Sequence, residues 1–254
     1  MCNKKLYFIT DAHLGAGDDS LQRERELCRL LDRIKEDAAM VIFLGDMFDF
    51  WFTYRYVVPK GNIRLLGKMA ELADSGMVMH FFIGNHDMWL FDYLKEELGI
   101  IMHEEPDTIE FDGKRFLVGH GDGLGHLDSR YDIIRHIFRS RVNQRLFALL
   151  PSGLTFGIAN RWSSSSRKKH IKKNLRIFDY QGDDREGIVI YCKQRLLSEH
   201  FDFCVFGHRH TPIIRDNCLP DCIYVNVGDW LMHRNYAVYS NGEITLHDLQ
   251  TETI

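Results

Sequence analysis

The sequence contains no apolar run that approaches the roughly 18 uninterrupted residues of a membrane-spanning helix. Its first residues lead directly into an apolar segment ending at Asp11, without the hydrophobic region and cleavage site of a secretory signal. Internal repeats are absent as well. We therefore expect no spanning helix and a cytoplasmic location.

The cysteines do not form a recognisable framework. They lie at positions 2, 28, 192, 204, 218 and 222, with no repeated spacing. Four of the six occur in apolar or amphipathic runs, which predicts reduced thiols in the core. Cys218 and Cys222 are separated by three residues, but a lone pair of this kind without a second pair is a weak zinc signal.

The chain has the composition of an ordinary globular protein. Hydrophobic residues make up 45% and charged residues 27% of the 254 residues. This length allows one large domain with a well-buried core. We expect a single domain that spans residues 1–254.

Strand and helix patterns alternate along the chain. LYFI, MVIFL and MVMHFFI are continuous apolar runs, as expected for strands that are covered on both faces. Helical periodicity occupies residues 21–37, 63–75 and 185–200, and a further helix is expected to run from Asp87 to Leu98. This alternation predicts the α/β class, with a sheet-rich core and helices on its faces.

Two hairpins and a late strand complete this prediction. Asp112-Gly113 and Asn241-Gly242 each lie between short strand-like runs, which is a strong signal for a tight turn. Residues 203–206 are predicted to form another buried strand.

Five short polar blocks each follow an apolar run that is predicted to be a strand. The blocks are TDAH, LGDMFD, GNHD, VGHGD and FGHRH. In open α/β sheets, ligands bind just beyond the carboxyl ends of the strands, so these blocks are expected to line one polar site. They supply seven side chains of the metal-ligand type: Asp11, His13, Asp46, Asn85, His120, His208 and His210.

The spacing and type of these side chains suit divalent cations. Asp11 and His13 are two residues apart, as are His208 and His210, so each pair points the same way in an extended segment. Asp46 ends another strand, where a carboxylate can bridge two ions. Carboxylates mixed with imidazoles suit Mn, Fe or Zn. Two such ions about 3.5–4 Å apart clamp a phosphoryl group and lower the pKa of a shared water.

Residues 126–178 interrupt the alternating pattern with a long helix-prone segment. It carries twelve basic and two acidic residues, whereas the whole chain has 32 basic and 36 acidic residues. Apolar residues are interleaved among these charges. Such an asymmetry indicates a partner or ligand, because net charge is not a determinant of fold. The simpler interpretation is a helical hairpin that packs on the core and leaves a basic face in solvent.

One stripe of this segment suits an anionic ligand. Ser165, Lys169 and Lys172 have the spacing of one helix face, and Arg161 and Arg176 extend it. Such a face is suited to a sugar phosphate or to the anionic head of a glycolipid. The apolar residues nearby would then shelter acyl chains.

The five blocks, in this order, resemble the calcineurin-like metallophosphoesterase superfamily. The resemblance runs from Asp11 to His210 and implies a four-layer fold with mixed sheets flanked by helices, here with residues 126–178 as a helical lid insertion. Any single block has a simpler interpretation, because Asp, Asn and buried His also end strands to satisfy local hydrogen bonds. Five blocks in the superfamily order favour the metal site.

The resemblance also implies roles for the site residues. The first metal ion would be held by Asp11, His13, Asp46 and His210, and the second by Asp46, Asn85, His120 and His208. His86 resembles the catalytic imidazole that protonates the leaving group or steadies the phosphoryl oxygen. Asp49 would orient His86 through a hydrogen bond.

Within the superfamily the chain is most similar to the UDP-2,3-diacylglucosamine diphosphatase branch of lipid A synthesis. Three features carry this likeness: LGDMFDFW, HGDGLGHLDSRY with its Asp128, and VNVGDW near the carboxyl terminus. The branch also has a basic helical insertion at this place. The resemblance implies that the substrate is contacted by Asn85, His86, Asp128, Arg161, Ser165, Lys169, Lys172 and His208.

This likeness implies a two-metal hydrolase, most simply with Mn²⁺, that releases UMP and 2,3-diacylglucosamine 1-phosphate. The insertion would rest on the anionic inner face of the cytoplasmic membrane, and no obligate protein partner is implied. One position departs from the branch, whose members typically have Arg in place of His86. The alternative is a metallophosphoesterase acting on another nucleotide, phosphodiester or nucleic acid, because basic stripes also bind phosphate backbones.

Overall fold

The computed structural model describes residues 4–125, 136–157 and 180–251. Within these ranges the strands are β1 (Lys5–Ile9), β2 (Ala38–Phe43), β3 (Val78–Phe82), β4 (Ile101–His103), β5 (Asp107–Phe111), β6 (Lys114–Gly119), β7 (Phe203–Phe206), β8 (Ile213–Leu219), β9 (Cys222–Asn226), β10 (Asn235–Ser240) and β11 (Glu243–Asp248). The helices are α1 (Ser20–Ile34), α2 (Ile63–Asp74), α3 (Tyr93–Leu98), α4 (Arg141–Ala148) and α5 (Gly187–Leu196). Residues 136–139 and 152–157 are helical too. Across the described residues, no helix combines the length and the apolar character needed to cross a membrane.

The strands form two mixed sheets. The first has the order β11-β10-β1-β2-β3-β4, in which β1 to β4 are parallel and β10 and β11 are antiparallel to their neighbours. The second has the order β5-β6-β7-β9-β8, in which β6, β7 and β9 are parallel and the two edge strands are antiparallel. Both sheets therefore have parallel strands at their centres.

Strand β1 shows how the layers are assembled. Successive side chains of a strand point to opposite faces of the sheet. Leu6 and Phe8 pack between the two sheets, whereas Tyr7 and Ile9 pack against the layer formed by α1, α2 and α3. Helix α5 covers the outer face of the second sheet. The order of layers is thus helices, sheet, sheet, helix, which confirms the predicted α/β four-layer architecture.

The predicted elements are largely confirmed. The strands expected before the five polar blocks are β1, β2, β3, β6 and β7, and the three periodic helices are α1, α2 and α5. Helix α3 begins at Tyr93, so the helix expected from Asp87 onward is shorter than predicted. The residues just after Asp87 instead form turns, and this leaves the side chain of Asp87 directed into the polar site.

The hairpins show both the strength and the limit of turn signals. Asp112, Gly113, Asn241 and Gly242 all have positive φ, as tight hairpin turns require, and both predicted hairpins are present. The β8–β9 hairpin was not predicted. Strand β8 has the sequence IIRDNCL, in which three consecutive polar residues hide the apolar pattern.

Helix α1 carries two buried charged residues, and one of them caps a neighbouring helix. The first N–H groups of any helix lack partners within the helix. In α2 the preceding residue, Asn62, makes no side-chain capping bond. Glu24 of α1 replaces that cap, because its Oε1 accepts hydrogen bonds from the N–H groups of Arg64 at 2.8 Å and Leu65 at 3.2 Å.

We expect Glu24→Ala to lower the free energy of unfolding by about 2 kcal/mol, because two N–H groups lose a charged acceptor. Glu36→Ala is the matched control, since Glu36 is exposed in the turn that follows the same helix. Urea denaturation followed by circular dichroism measures both values. Equal unfolding free energies for the two variants would contradict the capping role.

Candidate metal centre

The polar blocks meet at the carboxyl edges of both sheets. Three of them follow β1, β2 and β3 in the first sheet, and two follow β6 and β7 in the second. Because the central strands of each sheet are parallel, their carboxyl ends lie on one side of the molecule. The seven predicted ligands therefore converge from two sheets rather than one.

The backbone at these positions is unusual. Five of the seven predicted ligands have positive φ values between 42° and 66°: Asp11, His13, Asp46, His208 and His210. Residues other than Gly uncommonly adopt this conformation, although Asp and His do so more often than most, and it persists where the surrounding structure enforces it. A backbone held in this way at five converging side chains indicates a functional site.

The first cluster contains Asp11, His13 and His210, whose ligand atoms all lie within 4.8 Å of one another. Asp11 Oδ1 is 3.0 Å from His210 Nε2 and 3.6 Å from His13 Nε2. The other oxygen of Asp11 accepts hydrogen bonds from the Thr10 hydroxyl and from the His208 N–H. One carboxylate oxygen is therefore held by the protein, and the other faces the two imidazoles.

The second cluster contains Asp46, His120 and His208, again within 4.8 Å. Asn85 belongs to the same place, because its Oδ1 is 3.3 Å from His120 Nε2. The structure thus brings together Asn85 and the three other residues that the sequence assigns to a second ion.

Asp46 lies between the two clusters. Its Oδ2 is 3.8 Å from His13 Nε2 and 3.4 Å from His120 Nε2, so one oxygen faces both groups. Its Oδ1 accepts a hydrogen bond from the His86 N–H at 2.8 Å. Asp46 is thus placed where one of its carboxylate oxygens is shared by the two clusters.

Main-chain carbonyls fix the orientation of two imidazoles. His120 Nδ1 donates to the carbonyl of Leu44 at 2.8 Å, since a carbonyl can only accept. His120 Nε2 is then the nitrogen that faces Asp46 and Asn85. A hydrogen bond of this kind sets the tautomer of a metal-binding histidine and holds its ring.

His86 is oriented in a similar way. Its Nδ1 donates to the carbonyl oxygen of Asp49 at 2.8 Å, while the nearest carboxylate oxygen of Asp49 is 3.7 Å away. Asp49 therefore holds His86 through its main chain. The same Asp49 carboxylate oxygen lies 3.8 Å from His13 Nδ1.

The charges of the carboxylates and the imidazoles depend on one another. Burial alone would raise the pKa values of Asp11 and Asp46, but His210 and His120 respectively hold them below the usual range. Burial would likewise lower the pKa of His120, yet Asp46 raises it. Both carboxylates are thus ionised, and imidazole protons balance their charge.

The pKa values of His210 and His208 shift in opposite directions, although both side chains are buried at the same site. Burial would lower the pKa of His210, but the charge and hydrogen bond of Asp11 raise it, with a further contribution from Asp229. Burial, followed by the charge of His120, lowers the pKa of His208 to about 4. His208 is therefore neutral near pH 7, which is the form of imidazole that metal ions bind.

This donor set fits divalent metal ions. Two buried carboxylates need positive charge, and in the protein alone protons on His120 and His210, whose pKa values the carboxylates raise, would supply it. A divalent ion would take the place of those protons, because metals bind neutral imidazole and release its proton. Carboxylates and imidazoles without thiolates suit Mn, Fe or Zn.

Two glycines allow the loops to approach this closely. A Cβ at Gly84 would lie 2.2 Å from Asp46 Oδ1, and one at Gly207 would lie 2.7 Å from Asp11 Oδ2. Any side chain at these positions would displace the carboxylates. The glycines of the GNHD and FGHRH blocks are therefore required by packing at the site.

Two supporting residues were missed in the sequence. Asp87 is fully buried, and its two oxygens accept the N–H groups of Gly84 at 2.8 Å and Met47 at 2.9 Å, so it joins the loops after β2 and β3. Burial, with the charge of Asp46, raises its pKa to about 7. The GNHD block contains this residue, but its role depends on a loop 40 positions away.

Arg23 of α1 is the second residue missed. It is fully buried, and its guanidinium donates to the carbonyls of Ala12 and His13 at 3.1 Å each, and to that of Ala16. These bonds support the loop that carries Asp11 and His13. Helical periodicity alone gave no sign of a buried cation at this position.

Part of the insertion reaches the site through aromatic side chains. Trp89 Nε1 donates to the carbonyl of Phe138 at 2.9 Å, and the Trp89 ring lies 4.6 Å from that of Phe147. Phe50 contacts Phe156 at 5.3 Å between ring centroids. The described part of the insertion is thus fastened to loops that follow β2 and β3.

The remaining predicted substrate contacts lie outside the described residues and stay predictions: Asp128, Arg161, Ser165, Lys169 and Lys172. The insertion boundaries at 126 and 178 also lie there.

We expect Asp87→Asn to weaken Mn²⁺ binding about tenfold, because the amide cannot accept both N–H groups and supporting residues typically contribute 10–100-fold. Asp92→Asn, on the exposed residue before α3, makes the same change of charge and is the control. Isothermal titration of metal-free protein with Mn²⁺ measures both. Unchanged affinity in Asp87→Asn would show that the joined loops do not determine the metal site.

Known proteins are similar over the whole chain. A protein of Porphyromonas gingivalis named UDP-2,3-diacylglucosamine hydrolase is 39% identical over 97% of this chain and 98% of its own length. A protein of the same name from Aeromonas salmonicida is 28% identical over 93% of this chain and 90% of its own length. The likeness thus includes the site and the insertion.

The fold and the family are also evident from two further comparisons. The structure of Yfce, a phosphoesterase from E. coli, has a TM-score of 0.50 and 15% identity, covering 98% of this chain and 95% of that one. At this identity it supports the fold alone. The sequence profile named calcineurin-like phosphoesterase matches residues 4–212, which contain all seven converging side chains. The chain therefore belongs to the calcineurin-like phosphoesterase family.

Proposed function

We propose that this phosphoesterase cleaves the pyrophosphate bond of UDP-2,3-diacylglucosamine, giving UMP and 2,3-diacylglucosamine 1-phosphate, a step of lipid A synthesis. The observation that supports the proposal is the full-length likeness to hydrolases named for this substrate, together with an Asp46 oxygen that faces both clusters of ligand-type side chains. The alternative, another nucleotide, phosphodiester or nucleic-acid substrate, is separated from it by experiment.

Two divalent ions are proposed, most simply Mn²⁺, with Fe or Zn as other choices of the same ligand set. The first would be held by Asp11, His13, Asp46 and His210, and the second by Asp46, Asn85, His120 and His208. When bound, such ions supply an activated water and neutralise charge on the phosphoryl oxygens.

The chain itself contributes orientation. The Leu44 carbonyl keeps His120 Nε2 turned toward the cluster, and the Asp11 carboxylate is held on one side by main-chain and hydroxyl donors. Because these side chains are already held in place, little conformational entropy is lost when the reacting group binds. Asn85 and His208, which lie in the second cluster, are also proposed to contact the substrate.

His86 is proposed as the residue that meets the phosphoryl or leaving group. Its Nδ1 is occupied by the Asp49 carbonyl, so its Nε2 is left to contact substrate. The ring is about one-fifth exposed and lies edge-on to His13, with 4.7 Å between ring centroids. A proton can thus be held at Nε2 beside the first cluster.

The insertion is proposed to receive the acyl chains. Phe138, Phe147 and Phe156 turn toward the core, whereas other apolar side chains of residues 136–157 remain exposed, namely Ile137, Val142, Leu146, Leu149, Leu150 and Leu154. Exposed apolar residues grouped in this way are typical of a lipid or protein contact. The proposed contacts from Asp128, Arg161, Ser165, Lys169 and Lys172 would act at the same lid.

The same segment is proposed to rest on the cytoplasmic face of the membrane. Arg141 and Arg145 are exposed on α4 beside those apolar side chains. Basic residues contribute about 1 kcal/mol each near an anionic lipid surface. The net positive charge of residues 126–178 would therefore hold the protein there without a spanning helix.

Purified protein with Mn²⁺ is expected to release UMP from the glycolipid. Asp46→Asn or His120→Ala should reduce that release more than about 100-fold, beyond the range of residues that merely support a ligand. Asp74→Asn and His200→Ala, on exposed positions, are the controls and should retain activity. Release of nucleotides from DNA without UMP release would favour the alternative.

Leu149→Ser is expected to raise KM for the diacylated substrate about tenfold, because a leucine side chain contributes roughly 1.5–3 kcal/mol when it is buried by an acyl chain. Hydrolysis of bis(p-nitrophenyl) phosphate, which has no acyl chain, should not change. Leu149 is 80% exposed, and Leu197, 88% exposed at the end of α5, provides the matched Leu197→Ser control. Parallel loss on both substrates would contradict an acyl-binding role.

A further inference from the structure

A loop beside the first cluster carries an imidazole that the proposed function does not use. It follows β9 and begins at Asp229, the acidic residue of the VNVGDW block, which is fully buried. The Trp230 N–H donates to the carbonyl of Asp11 at 3.1 Å. The loop is therefore bonded directly to the main chain of a proposed metal ligand.

Asp229 holds the side chain of His233. One carboxylate oxygen accepts the Met232 N–H, and the other accepts a hydrogen bond from His233 Nδ1 at 2.7 Å. The His233 side chain is 47% exposed, in contrast to the buried carboxylate beneath it. A buried carboxylate behind an exposed imidazole fixes the ring and leaves Nε2 on the side away from the core.

The loop is also anchored at its far end. Arg234 donates to Glu26 at 2.8 Å, to Asp19 at 3.0 Å and to the carbonyl of Leu231 at 2.9 Å. Its guanidinium is thus engaged with α1 and the preceding turn. His233 is consequently presented by a loop that is tied to the protein on both sides.

The pair formed by Asp229 and His233 lies next to the first cluster. Asp229 is among the charges that act on His210, and its neighbour Trp230 bonds to Asp11. The loop that carries His233 therefore borders the first cluster.

We propose that His233 is a substrate-binding residue that contacts the pyrophosphate group, with Asp229 as its positioning residue. This inference rests on the proposed function. The Nδ1–H group of His233 already donates a hydrogen bond to Asp229. When the ring holds both protons, Nε2 is therefore the nitrogen that donates to a phosphate oxygen.

The test compares His233→Ala, His233→Lys and the control His200→Ala with the unaltered protein. We expect His233→Ala to raise KM for UDP-2,3-diacylglucosamine about tenfold, as for the loss of one charge-assisted hydrogen bond, and to change kcat less than twofold. His233→Lys, which restores a cation, should recover most of the affinity. Mn²⁺ affinity and the melting temperature should remain as in the unaltered protein.

A second measurement does not depend on turnover of the glycolipid. Binding of UDP, which carries both phosphates, to the Mn²⁺-loaded protein should weaken about tenfold in His233→Ala and remain unchanged in His200→Ala. Unchanged UDP binding, or an equal fall in Mn²⁺ affinity, would overturn the inference. Absence of UMP release by the unaltered protein would overturn the proposed function separately, because UDP binding is still measured.

Discussion

The arrangement of the site depends on one electrostatic requirement, which is that the negative charges of Asp11 and Asp46 must be balanced. Two buried carboxylates in one small volume are unfavourable unless positive charge lies between them. The protein surrounds them with imidazoles, holds one oxygen of each by N–H or hydroxyl donors, and leaves the other oxygen directed at the cluster. The two-sheet architecture serves this arrangement, since each sheet contributes the carboxyl ends of its central parallel strands.

Much of this arrangement could be predicted from the sequence, and for a physical reason. A strand covered on both faces is a continuous apolar run, so its end is visible wherever Asp, Asn or His interrupts the run. Asp11, Asp46 and His120 were identified on that basis. The resemblance to a known superfamily then divided the proposed ligands between two ions, a division that stays a prediction, and Asp46 Oδ2 lies between His13 and His120.

The remaining features of the site and fold depend on contacts between distant segments, and a local sequence pattern does not predict such contacts. Arg23 is at a buried position of α1, but its partners are carbonyls of a loop that the fold brings beneath it. Glu24 caps another helix by accepting the N–H group of Arg64, which lies 40 positions later in the chain. Asp229 was noted as part of a block, yet its bond to His233 depends on the way the loop after β9 closes. Such roles require the three-dimensional structure, because they join segments whose order in the sequence says nothing about distance.

The aromatic contact between Trp89 and the insertion has a practical consequence. The indole of Trp89 is largely buried, and it donates to a carbonyl of the segment proposed to close over the substrate. Separation of the two would expose the indole to water and change its emission. The molecule therefore contains an intrinsic fluorophore at the junction of lid and core, and its spectrum would report whether the two are docked in solution without any added label.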